Sequence, residues 1–211
     1  TDRIDSPASN DITAITQTDS TNFFIGTSNG LLQTIEKEGV LETVVGTYTD
    51  SICIPVSELY FHQDSKKLFI GTFKEGIIAY GMNTTSTIIA DGPLQNVAIK
   101  RITPFGKRQL LVATGGRGVY KIDVDSLSAR PYITADYSNY NGMNGNNIND
   151  IYVDEEERIW LANYPTGITV RNNRYGSYDL IKHSIGNNLS LVNDQVHDVM
   201  EDSDGDLWFA T

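Results

Sequence analysis

At 211 residues the chain is long enough to bury a sizeable core, as one large all-β domain or two small ones. Lys and Arg total 16 against 27 Asp and Glu, a formal net charge of −11. That balance argues against binding a nucleic-acid backbone, which needs clustered cations, and against an anionic membrane surface; nor does any run of about 18 apolar residues read as a membrane-spanning helix.

Taken in chain order, the elements repeat. The first set is an apolar pair three residues apart, Ile12 and Ile15, then the strand Phe23-Phe24-Ile25-Gly26-Thr27, then Gly30-Leu31-Leu32, then Leu41 to Val45. The second is Val56 and Leu59, Leu68-Phe69-Ile70-Gly71-Thr72, Gly76-Ile77-Ile78, and Thr85 to Ala90. Between them lies the single cysteine, Cys53, which the apolar run Ile52-Cys53-Ile54 marks as a buried structural thiol. The third is Ile99 and Ile102, Leu110-Leu111-Val112-Ala113-Thr114, Gly118-Val119-Tyr120, and Pro131 to Ala135. The fourth is Ile148 and Ile151, Ile159-Trp160-Leu161-Ala162-Asn163, Gly167-Ile168-Thr169, and Ser177 to Lys182. The fifth holds only Val196 and Val199 and then Leu207-Trp208-Phe209-Ala210-Thr211.

The small residues at 26, 71, 113, 162 and 210 are 45, 42, 49 and 48 apart, whereas the distance back to the first apolar residue stays at 14 or 15. A fixed inner spacing with a drifting outer period is the mark of a conserved hairpin joined by variable loops. The glycine that opens each third strand suits a tight turn with positive φ. Four short strands per unit of about 45 residues match a β-propeller blade. No window carries the apolar stripe of a capped helix, so a helical solenoid is excluded. The middle strands are apolar at consecutive positions, as in a sheet covered on both faces. The reading is an all-β chain of four-stranded antiparallel propeller blades at about 10–50, 51–92, 93–143 and 144–190, with a half-blade at 191–211. A chain that stops in mid-strand, with no basic-then-apolar leader, is expected to be a piece of something longer.

The fifth repeat carries Asn193, Val196, Val199, Glu201-Asp202, Gly205 and Leu207-Trp208-Phe209-Ala210-Thr211. It resembles the two-component regulator propeller repeat, whose consensus is N-x-V-x-x-I-x-E-D-x-x-G-x-L-W-I-G-T-x-x-G-L. The fourth repeat resembles it through Asn147-Ile148, Ile151, Asp154, Trp160-Leu161-Ala162 and Gly167-Ile168; the first three lack the Trp. The resemblance implies about four and a half blades of a larger, seven-bladed propeller in the periplasmic sensor of a hybrid two-component regulator. In that family two such propellers precede an immunoglobulin-like domain, a membrane helix and a histidine kinase. It further implies oligosaccharide detection, a homodimer in the full-length protein, and the remaining blades and signalling domains as partners, with no nucleic acid, cofactor or metal in this segment.

Other constellations have structural readings. Asp202-Ser203-Asp204-Gly205-Asp206 lacks the spacing of an EF-hand loop and reads as a hairpin turn. Against the sialidase Asp-box, S-x-D-x-G-x-x-W, Ser203 stands where Asp belongs and Glu201 where Ser belongs. His62, His183 and His197 stand alone, and His197 reads as a structural residue of a first strand. Gly115-Gly116-Arg117-Gly118 lacks a phosphate-cradle spacing. The sequons Asn83-Thr84-Thr85 and Asn188-Leu189-Ser190 carry no meaning in a bacterial host. Trp160 and Trp208 share one register and read as packing between blades.

A ligand site is expected where the loops after the small residue gather with the segments leading into each new blade. There Arg117, Asn163, Tyr164, Lys74 and Glu75 offer the planar hydrogen-bonding groups and the aromatic face that sugars require. No catalytic residue is assigned, because no acidic pair stands out among 27 carboxylates. The chain is read as a sensor rather than an enzyme, with a propeller glycoside hydrolase or polysaccharide lyase, and a protein-interaction scaffold, as alternatives.

Overall fold

The structure, a computed structural model, describes residues 11–44, 52–81, 87–88, 92–136, 138, 142–143 and 145–211. All regular structure among these residues is β, and strands pair antiparallel in sequential order within each sheet. The chain divides into two compact units, Thr1–Ile99 and Lys100–Thr211. The first contains the sheet β1 (Ile12–Gln17), β2 (Asn22–Thr27), β3 (Gly30–Lys37), β4 (Val40–Thr43) and the sheet β5 (Val56–His62), β6 (Lys67–Thr72), β7 (Ile77–Gly81), β8 (Thr87–Ile88). The second is built on β9 (Ile99–Pro104), β10 (Gln109–Thr114), β11 (Val119–Asp123) and β12 (Ala129–Ile133). The sheet β13 (Ile148–Val153), β14 (Arg158–Asn163), β15 (Gly167–Asn172), β16 (Ser177–Ile181) follows, and then the hairpin β17 (Asp198–Glu201), β18 (Leu207–Ala210). These four-stranded sheets are propeller blades. Of the expected fourth strands, Val45, most of Thr85 to Ala90 and the sequon at Asn83 lie outside the described residues.

A bulge explains why the apolar pair is three residues apart. In a regular strand, residues i and i+3 face opposite ways. Here the register shifts between Ile148 and Asp150, so Ile148 faces Asn163 while Ile151 faces Leu161. Asn149 is the extra residue, and both isoleucines end on one face, buried. The same shift occurs between Val56 and Glu58 and between Ile12 and Ala14. The extra residue is not wasted. Asn149 Nδ2 donates to Val196 O at 2.9 Å, and Thr13 Oγ1 donates to Val56 O at 2.7 Å, each stitching one sheet to the next.

The small residue closing each second strand has a packing cause. A Cβ on Gly26 would stand 2.5 Å from Val56 Cγ1, so the first apolar residue of the following sheet rests on bare backbone. Ala113 with Ile148, and Ala162 with Val196, repeat the contact within buried clusters of the second unit. Within each unit the apolar pair therefore faces the preceding sheet, Val56 and Leu59 in the first, Ile148 with Ile151 and Val196 in the second. Ile12 and Ile15, with no preceding sheet among the described residues, are 58% and 60% exposed. Cys53 is also exposed, correcting the expectation of a buried thiol. Ile52 and Ile54 pack against the cluster around Phe24, Val56 and Leu68, and alternation along this extended segment turns the residue between them outward.

Candidate functional site

The turns between second and third strands are fixed from within. Thr114 Oγ1 donates to Gly118 O at 2.7 Å and accepts from Arg117 N at 3.0 Å. Thr72 does the same with Gly76 O and Glu75 N, and Thr27 with Gly30 O and Asn29 N. The glycine is required on two counts. Gly118 has φ +76°, and a Cβ there would meet Ile133 O at 2.4 Å; at Gly167 the values are +88° and 2.4 Å from Ile181 O. Each turn is also tied to the segment leading into the next sheet, through Gly118 N to Asn146 O (2.7 Å) and Gly167 N to Asp194 O (2.8 Å).

Within this frame Lys74 and Glu75 are exposed in the β6–β7 turn of the first unit. Arg117 is exposed in the β10–β11 turn of the second. Asn163, which replaces the turn threonine in the fourth sheet, is fully buried: Nδ2 donates to Gly145 O at 3.3 Å, and Oδ1 has no hydrogen-bond partner. Tyr164 follows it, 36% exposed, with its ring 5.9 Å from that of His197. His197 itself is exposed just before β17, its N–H bonded to Ala210 O, rather than inside a first strand. Tyr164 thus meets His197, a residue the sequence reading set aside, while Lys74 and Glu75 belong to the other unit.

The sequence reading also passed over a buried charged group. Asp150, 3% exposed, accepts from Val199 N at 3.0 Å through Oδ2, and its Oδ1 lies 3.0 Å from Arg101 Nε. Burial and a hydrogen bond with the Asp198 carboxyl push its pKa up to about 7, against the pull of Arg101. Arg101, Asp150 and Asp198 stand two residues after Ile99, Ile148 and Val196, so they share one register of the repeat. That register, just past the bulge, was the available signal. The three side chains link the first strands of consecutive sheets.

In the acidic turn at 202–206, the Asp202 carboxylate is spent on the hairpin itself. Asp202 Oδ1 accepts from the N–H groups of Asp204 and Asp206, and Oδ2 from Trp208 Nε1 at 2.6 Å. In the fourth sheet, Asp154 Oδ2 accepts from Trp160 Nε1 at 2.8 Å and from Arg158 Nε at 2.6 Å. Burial opposes ionisation of Asp154, but the bonds from Trp160 and Arg158 hold its carboxyl below the usual range. The aspartate one place before the Asp-box position therefore closes the hairpin. Among the described residues no cluster of three metal-ligating side chains occurs.

Residues 142–164 and 190–211 match the family described as two component regulator propeller. No curated protein is similar in sequence. Among solved structures, the extracellular domain of a putative hybrid two component system from B. thetaiotaomicron is 17% identical with a TM-score of 0.72, over 96% of this chain and 27% of that one. The extracellular domain of a putative one component system from the same organism is 21% identical with a TM-score of 0.65, over 94% of this chain and 28% of that one. The computationally designed Ika4 protein is 13% identical with a TM-score of 0.52, over 76% of this chain and 90% of that one. The chain thus spans about a quarter of the length of the two extracellular domains.

Proposed function

As a chain that carries two component regulator propeller repeats, this protein is, we propose, a periplasmic ligand-sensing segment of a hybrid two-component regulator, detecting an oligosaccharide and signalling to a histidine kinase outside the chain. The observation that carries the reading is the Tyr164 ring of the β14–β15 turn, 5.9 Å from the His197 ring just before β17. Exposed rings meet the apolar C–H face of a sugar, and Arg117, at the equivalent turn of the preceding sheet, supplies a planar donor for hydroxyls. The remaining blades, the signalling domains and a second copy of the full-length protein are the expected partners.

Glycoside hydrolysis needs two carboxyl groups roughly 5–9.5 Å apart across an accessible bond. Asp150 and Asp198 instead share a hydrogen bond, and Asp150 is buried.

Saturation-transfer NMR of defined oligosaccharides with the protein tests the reading. One sugar is expected to receive saturation and remain intact overnight, and Tyr164→Ala to weaken its binding roughly tenfold, the loss of one stacking contact. New anomeric signals would replace the sensor with a hydrolase or lyase. No transfer from any sugar would leave the scaffold reading.

A further inference from the structure

Lys121, in β11, is 9% exposed in a chain whose net charge is −11. Its ammonium lies 3.8 Å from the centroid of the Tyr132 ring and 4.5 Å from that of Phe105. Arg130 is its direct cross-strand partner, and the Arg171 guanidinium lies 4.4 Å from the same Tyr132 ring. Like charges facing each other across a sheet repel, and an ammonium has three donors to satisfy. Ring faces offer electrostatic attraction but no lone pair along an N–H direction. Among the described residues no oxygen accepts from this ammonium. Burial, and then Arg130 and Arg171, lower its pKa.

Lys121 lines a cavity of about 260 Å³ shared with Gln109, Asp123, Ser126, Ser128 and Arg130. The one carboxylate on this wall, Asp123, has one of its two oxygens engaged. Asp123 Oδ1 accepts from Asp125 N at 3.1 Å, Ser126 N at 2.8 Å and Ser126 Oγ at 2.8 Å. The wall thus carries two cationic side chains, Lys121 and Arg130, against one carboxylate, with the Ser126 and Ser128 hydroxyls beside them. Its volume falls just under the roughly 300–1,000 Å³ of pockets for drug-sized ligands, so it suits a small solute or the end group of a larger one.

We propose that this cavity is an anion site, holding a carboxylate or sulfate group between the ammonium of Lys121 and the guanidinium of Arg130. The site lies within the third sheet and is independent of the loop residues around Tyr164. A bound oxyanion supplies the missing acceptor, relieves the repulsion between the two cations, and leaves the ring contacts in place.

Amide and side-chain NMR of the whole chain, titrated with sodium sulfate and sodium acetate against sodium chloride at matched ionic strength, tests it. Saturable shifts are expected at Lys121, Ser126, Ser128 and Arg130 with one or both oxyanions, and which of them binds more tightly identifies a tetrahedral or a planar group. Arg130→Gln, at an exposed position that leaves the fold intact, is expected to weaken binding roughly tenfold or more, as for a lost charged hydrogen bond. Lys121→Met, which keeps the stem against the rings, is expected to abolish it. Shifts that fail to saturate, that chloride reproduces, or that Arg130→Gln leaves unchanged overturn the proposal.

Discussion

The fourth sheet and the β17–β18 hairpin use the same local devices and end in different environments. Both close their first turn with an aspartate that accepts from a tryptophan indole six residues on. Both bury their apolar pair against the preceding sheet, Ile148 and Ile151 in one and Val196 and Val199 in the other. They differ on the opposite face. Trp160 is half-buried, 6.0 Å from the Phe209 ring and beside the cluster of Ala162, Ile168, Val170 and Val196. Trp208, its counterpart, is 61% exposed, and Met200 is 57% exposed. The hairpin is thus a local structure, formed by its own turn and hydrogen bonds, whereas burial of its two faces belongs to the neighbours.

Substitutions can break or sharpen that comparison. Ile148→Ala removes a fully buried side chain from the cluster with Leu111 and Ala113, and is expected to cost about 2–5 kcal/mol in urea unfolding. A loss under about 1 kcal/mol would mean that the sheets do not depend on each other for burial. Trp160→Ala is expected to cost about 2–3 kcal/mol, less than a fully buried Trp, and Trp208→Ala under about 1 kcal/mol. Equal costs would show that the indole–aspartate bond, common to both, outweighs packing. Ala162→Val pushes two methyls toward Val196 and is expected to cost about 1–3 kcal/mol, whereas Ala210→Val, at an exposed position, stays within about 0.5 kcal/mol.

The subtlest test is the pH dependence at the junction between these two regions. The Asp150 carboxyl titrates near 3.8 when unperturbed and is pushed up to about 7 in the folded chain. The folded state therefore binds its proton more tightly, so this group stabilises most below about pH 4 and loses that contribution as pH rises towards 7. Hydrogen-exchange protection of the Val199 amide, which bonds to Asp150, is expected to fall across this window in the native chain and to be flatter in Asp150→Asn. Parallel profiles would assign the slope to other groups.

Much of the fold was legible because it is local and repeated. The turn glycines, in four copies, and the small residue and the apolar pair, in five, each fix one backbone requirement, and the repetition separates them from noise. The site was less legible. Arg117, Lys74 and Glu75 lie in exposed turns as their residue types suggest, but Asn163 takes the buried register of Thr27, Thr72 and Thr114, which its polar amide does not announce. His197 was set aside because a lone histidine has no sequence partner, and its partner Tyr164 is 33 residues away. Cys53 misled because a flanking apolar residue on each side reads as burial when only those two residues face inward.

The sequence by itself determined the β-hairpin unit, its repetition and the residues at each turn, since these depend on backbone conformation and on neighbours within a few positions. Only the tertiary structure decided which faces are covered, that the bulge sets Asn149 against the next sheet, and that Arg101, Asp150 and Asp198 meet. Those outcomes depend on contacts between residues more than 40 positions apart, whose desolvation and charge no local pattern encodes.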